Sequence, residues 1–170
     1  RELLLKEREE IERILSEFTD KISVFAQFLV ANTEIIAYLD GVFAKARYCI
    51  ELNATRPKLN DRGILDIKRG RHPLIDKKSV VPIDLRRGGD FDMIVITGPN
   101  TGGKTVSLKT TGWFCLMAMS GIFLPAAHET IVSVFENIFC DIGDEQSIEQ
   151  SLSTFSSHIK NISHIAQSLN

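Results

Sequence analysis

The chain has 170 residues, is 44% hydrophobic and 25% charged, and carries a formal net charge of -2. That is enough to bury a core of about one domain or slightly more, with a charge balance ordinary for a soluble globular protein. No apolar run approaches the roughly 20 residues of a membrane span, and Arg1 to Glu7 lack the apolar stretch and cleavage site of a signal peptide, so a cytoplasmic protein with no membrane partner is expected.

From residue 11 to residue 50 the apolar positions step by four and three: Ile11, Leu15, Phe18, Ile22, Phe25, Leu29, then Asn32, then Ile36, Leu39, Phe43, Ala46 and Ile50. Only Asn32 breaks this heptad-like stripe, and no proline interrupts it. One continuous helix of about 60 Å fits the pattern. Two antiparallel helices broken near Asn32 or Gly41 fit it nearly as well. The functional reading is a lever joining a distant domain to a motor; the plainer one is a helical hairpin packed on its own domain. The pattern starts at once and without an initiator Met, so the chain is expected to be excised from a longer one.

Asn53 to Gly63, with Pro57, Asn60 and Asp61, reads as a loop, which sets a boundary near residue 55 between a helical segment (1–55) and a second domain (56–170). Ile64 to Ile67 and Val80 to Leu85 are expected as short strands, and Gly88-Gly89-Asp90 as a turn. Residues 56 to 90 hold ten Lys or Arg against five acids, and residues 121 to 155 hold six acids and no Lys or Arg. The basic positions are scattered, which favours a solvated surface over a nucleic-acid face.

Met93 to Thr97 is wholly apolar up to its last residue and is expected as a buried strand. It leads into Gly98-Pro99-Asn100-Thr101-Gly102-Gly103-Lys104-Thr105, which matches G-x-x-x-x-G-K-[ST] at every fixed position. A helix-compatible run follows to Ser120. A polyphosphate needs many donors. Gly98, Gly102 and Gly103 let the backbone turn its N–H groups inward, the helix start presents its positive end, Lys104 brings an ammonium to the β- and γ-phosphates and the transition-state charge, and Thr105 offers a hydroxyl to Mg²⁺. Val106, Leu108, Trp113, Phe114, Leu116 and Met117 read as core contacts.

A strand is expected near 131 to 140, then the acidic turn Asp141 to Ser147. Phe155, Ile159, Ile162, Ala166 and Leu169 again step by four and three, which predicts a helix from about 154 to 169 capped by Ser153 or Thr154. Cys49, Cys115 and Cys140 stand apart and read as small hydrophobes, and His72, His128, His158 and His164 lack metal-ligand spacing.

Several of these segments resemble one family. The Thr97-Gly98-Pro99-Asn100 opening of the loop is similar to the Walker A motif of the MutS family of DNA-repair ATPases. Thr101 and the run Thr105-Val106-Ser107-Leu108-Lys109-Thr110 resemble its bacterial endonuclease-type paralogue. Gly70-Arg71-His72-Pro73-Leu74-Ile75 resembles the family's Arg-His-Pro segment. Val81-Pro82-Ile83-Asp84 resembles its Val-Pro-x-Asp segment near the adenine, which puts Val80, Val81 and His72 near the base. Ser151 to His158 resembles its Ser-Thr-Phe motif, the counterpart of the ABC signature, in which Ser151, Ser153 and Thr154 would meet the γ-phosphate of the opposite subunit. Glu145 and Gln146 fall in the segment equivalent to the Q-loop.

The resemblance implies an α/β, ABC-like P-loop NTPase domain, partial here, after a helical lever; ATP and Mg²⁺ as ligands; and a homodimer completing its sites in trans. The phosphate loop alone points to a polyphosphate; the adenine comes from the resemblance. No run of four hydrophobics followed by Asp and Glu lies between residue 106 and Asn170, so the chain stops before the Walker B segment and is expected to hydrolyse ATP poorly, although its parent would be an ATPase. The D-loop, DNA-clamp regions and nuclease module are absent too, so branched DNA in anti-recombination, or stalled ribosomes, would be reached through other parts of that parent. A non-catalytic dimerisation or scaffold module is the alternative, and a fragment of an ABC transporter ATPase is weaker.

Overall fold

The computed structural model describes residues 1–99, 102–142 and 151–168. The elements run α1 (Glu2–Ser23), α2 (Ala26–Glu51), β1 (Lys58–Asn60), β2 (Leu65–Gly70), β3 (Ile83–Arg87), α3 (Lys104–Met119), β4 (Ile131–Ser133) and α4 (Ser151–Ser168). The chain divides into two compact units, Arg1–Arg47 and Tyr48–Asn170.

In the first unit the helical stripe is real, but its break is not where the pattern put it. The helix runs unbroken through Asn32 and Gly41, and α1 and α2 instead meet at a 74° bend over Val24 and Phe25. Neither the single straight helix nor the hairpin broken near Asn32 or Gly41 is formed. A local competitor sits beside the true break: the Ser23 hydroxyl donates to the Asp20 carbonyl at 2.8 Å, a side-chain bond that draws on a helical acceptor. Lys6–Glu2 at 2.9 Å and Lys21–Glu17 at 2.6 Å are spaced four apart on α1, a small exposed contribution to helicity. No residue of α1 is buried, and among the described residues no single helix is long and apolar enough to cross a membrane.

The second unit is α/β. Its mixed sheet has the order β1-β4-β2-β3; β1 and β4 are parallel, and β2 is antiparallel to both β4 and β3. Leu65 and Ile67 alternate with polar residues on β2 and turn to the core, as a half-buried strand requires. Against them lies α3, with Phe114, Cys115, Met117 and Ala118 buried. Gly70 allows this approach: a Cβ there would lie 2.6 Å from Ile67 Cγ2 and 2.9 Å from the Phe114 ring. Tyr48 and Leu52, at the end of α2, pack on the same cluster. The buried Thr110 hydroxyl is satisfied by the Val106 carbonyl at 2.7 Å.

The strand expected at Ile64–Ile67 appears as β2, that at Val80–Leu85 as β3 three residues later, and that at 131–140 shortened to β4. Met93–Thr97 is not a strand. Met93 is 77% exposed and Val95 75%. A run apolar on both faces becomes a strand only between neighbours that cover it, and none of the described strands lies beside it.

Candidate functional site

Between that run and α3 lies the glycine loop. Gly98 has φ 141° and Gly103 φ 77°, and Gly103 stands at the N-cap of the 16-residue α3. A side chain at Gly103 would be strained in this left-handed conformation. Among the described residues nothing lies within 4 Å of where a Cβ would stand on Gly98 or Gly103. The N–H groups in the first turn of α3 have no acceptor within the helix, and the helix dipole adds positive potential at the same end.

The Lys104 ammonium is drawn back over the loop. It donates to the carbonyls of Gly98 and Pro99, each at 2.7 Å. Of the expected inward amides, that of Gly102 is engaged within the loop, donating to the Pro99 carbonyl at 3.0 Å. Thr105 is exposed at the second position of α3, with its hydroxyl on a helix end. Asn100 and Thr101 lie outside the described residues. Geometrically the loop offers an ammonium, a hydroxyl and a helix start in one place, which suits a polyphosphate and, through Thr105 and phosphate oxygens, a hard cation. Among the described residues no cluster of three His, Cys, Asp or Glu side chains would hold a metal alone.

A cavity of about 540 Å³ opens between the end of α2 and the segment 71–80. His72 and Val80 both line it; Val81, at 77% exposure, does not. Tyr48, Leu52 and Pro125 supply apolar walls, and Arg71, Lys77 and Lys78 supply positive charge. The Lys77 ammonium donates to the Glu51 carbonyl, closing the C-terminal end of α2. The His72 imidazole is held below the usual histidine range, first by burial and then by the Lys109 charge. Its Nδ1 accepts the Leu74 N–H at 3.2 Å, as only an unprotonated Nδ1 does. Lys109, whose charge acts on His72, stands on α3 five residues beyond Lys104 but does not line the cavity. Arg71 stood in the Arg-His-Pro segment of the sequence, whereas Lys77 and Tyr48 were missed, because no motif links them to the cavity.

Ser151, Ser153 and Thr154 lie on α4, which begins at Ser151. Residues 153 and 154 are therefore inside the helix rather than at the cap expected of them; the apolar periodicity marked the helix but not its first residues. Glu145 and Gln146 lie outside the described residues. Farther along α4, His158 Nδ1 meets Asp141 Oδ1 at 2.8 Å.

Comparison with known proteins adds a lineage. Residues 94–170 match the family model for MutS domain V. Over 170 residues the chain is 55% identical to "Endonuclease MutS2" of Caldanaerobacter subterraneus subsp. tengcongensis, covering 100% of this chain and 22% of that protein. It is 54% identical to the protein of the same name in Finegoldia magna, over 99% of this chain and 22% of that protein, and 56% identical to that of Clostridium botulinum, over 97% and 21%. The chain thus spans about a fifth of the length of the curated relatives it matches.

Proposed function

The chain belongs to the MutS family, and on that footing we propose that it is the ATP-binding part of a MutS-like ATPase. The observation that carries the reading is the loop: a left-handed glycine at φ 77° opens a 16-residue helix, and the next residue's ammonium folds over the same turn. We read residues 1–55 as a helical lever or core segment and 56–170 as the first part of a P-loop ATPase domain.

In this reading the Lys104 ammonium exchanges two neutral carbonyls for phosphate oxygens, which are stronger acceptors because they are charged. The N–H groups at the start of α3 hold the same phosphates. Thr105 contributes its hydroxyl to Mg²⁺, which neutralises phosphate charge when bound. The cavity lined by His72 and Val80 receives the base: Tyr48, Leu52 and Pro125 give apolar faces, and a neutral His72 presents a ring nitrogen without adding charge. Ser151, Ser153 and Thr154 would act on the γ-phosphate of a partner subunit, in a homodimer, and Glu145 and Gln146 would sense the metal or water. The whole protein would hydrolyse ATP, with residues outside this chain completing the reaction, and would act in the cytoplasm on branched DNA or on stalled ribosomes.

Titration with fluorescent ATP and Mg²⁺ tests the core of the reading. Saturable binding that Lys104→Ala weakens at least about tenfold is expected, the loss of one charge-assisted contact. Equal affinity in the two proteins overturns it.

A further inference from the structure

We infer that Asp141, His158 and Asn161 form a polar clasp that sets where α4 sits, which makes His158 a positioning residue for the Ser151–Thr154 turn. The inference rests, for its functional half, on the nucleotide reading above. Its structural half does not.

Two residues of α4 meet the segment after β4. His158 Nδ1 lies 2.8 Å from Asp141 Oδ1, and Asn161 Nδ2 donates to the same Oδ1 and to the Cys140 carbonyl, both at 3.0 Å. His158 and Asn161 are three residues apart, which places them on one face of the helix. A carboxylate only accepts, so the Nδ1 facing it carries the proton. One oxygen therefore collects two donors, and the second donor is shared with the backbone beside it. Asn161 and then His158 hold the Asp141 carboxyl below its usual range, as bonds to the ionised form do.

Among the described residues no side chain of α4 is fully buried, Ile165 being partly so. Ile159 is 48% exposed and Ile162 51%. Among the described residues, these three bonds are the hydrogen bonds that join α4 to the rest of the chain. The clasp lies one helical turn beyond Thr154, so the rigid rise of the helix carries its position to the turn that begins at Ser151. A helix held by a few polar bonds is registered by them in a way that sliding apolar contacts do not supply.

The test uses the full-length protein and two readouts. Without nucleotide, amide hydrogen exchange across Ser156–Ser168 is expected to rise about fivefold or more in His158→Ala and in Asp141→Ala, with α3 unchanged. The double variant should exchange no faster than the faster single one, because either change opens the same clasp. Unaltered α4 exchange, or effects that multiply in the double variant, overturns the clasp. Where α3 also loosens, Asp141→Asn, which keeps an acceptor oxygen, is read by the same criteria. With ATP, His158→Ala is expected to lower kcat about tenfold at an unchanged KM, and His158→Asn, which keeps a donor, to recover part of it. An intact clasp effect with unchanged kcat overturns the positioning role. Wild-type protein that binds no ATP overturns the nucleotide reading and leaves the exchange result to decide the clasp.

Discussion

The carboxylate of Asp84 accepts the backbone N–H of Arg69 at 2.7 Å. Arg69 is at φ 49°, inside the register shift between Ile67 and Gly70 where β2 pairs with β3. Two sequence segments read separately, Val81-Pro82-Ile83-Asp84 and Gly70-Arg71-His72-Pro73, are therefore joined at one bulge. The bulge aims the chain from β2 towards the cavity lined by His72. Asp84→Ala removes the acceptor and leaves a left-handed non-glycine residue without its partner; a loss of about 1 kcal/mol is expected, seen as a lower urea midpoint at unchanged slope. Arg69→Gly relieves the backbone cost and should offset part of the loss in the double variant.

Packing between β2 and α3 makes a second prediction. Phe114 is fully buried against the Gly70 backbone. Phe114→Ala should cost about 3 to 5 kcal/mol, a large share of the roughly 5 to 15 kcal/mol by which ordinary domains are stable. Gly70→Ala places a methyl 2.6 Å from Ile67 Cγ2, and about 1 to 3 kcal/mol of overpacking is expected. Thermal unfolding followed by circular dichroism reads both, and Phe114→Ala should be the more damaging.

These two sites also show what was legible in the sequence. The α3 helix was readable because it rests on local spacing, but its buried face was not: of the six expected core contacts Phe114 and Met117 are buried, whereas Val106 is 38% exposed, Leu108 54%, Trp113 42% and Leu116 47%, and Thr110, Cys115 and Ala118 are buried instead. Met93–Thr97 has the composition of a strand, yet strand formation depends on neighbours that spacing cannot supply. The bend at Val24 was hidden because the apolar stripe passes through it unchanged, while Asn32 and Gly41, the conspicuous residues, are simply accommodated. Lys77 on the Glu51 carbonyl and His158 on Asp141 pair residues 26 and 17 apart in sequence, distances over which no periodicity operates. Asp84 was visible as part of a motif, but its task at a bulge fifteen residues earlier was not.

The cysteines should differ sharply in reactivity. Burial pushes the Cys115 thiol from 9.0 up to about 11, so almost none is thiolate at pH 8, and its side chain is enclosed by the core. Cys140 is exposed. Alkylation with iodoacetamide under native conditions should label Cys140 rapidly and Cys115 only after denaturation, because the thiolate is the reacting species. Mass spectrometry of timed digests measures both, and early modification of Cys115 would contradict the packing around Phe114.

His72 gives a pH dependence whose sign follows from its surroundings. Burial, then the charge of Lys109, lowers its pKa in the folded chain, so the folded state resists the proton that the unfolded state accepts. Above the ordinary histidine value both states are neutral there and stability is unaffected. As pH falls through that value the unfolded chain gains a proton first, and stability declines until the lower folded pKa is reached. His72→Gln should flatten this part of the pH–stability curve, and Lys109→Ala should shift the folded titration upward, back towards the ordinary value. Nuclear magnetic resonance of the His72 ring protons from pH 4 to 8 follows the titration directly. A midpoint above the ordinary histidine range in the wild-type protein would mean that the ring is charged and solvated, and would remove it as a neutral wall of the cavity.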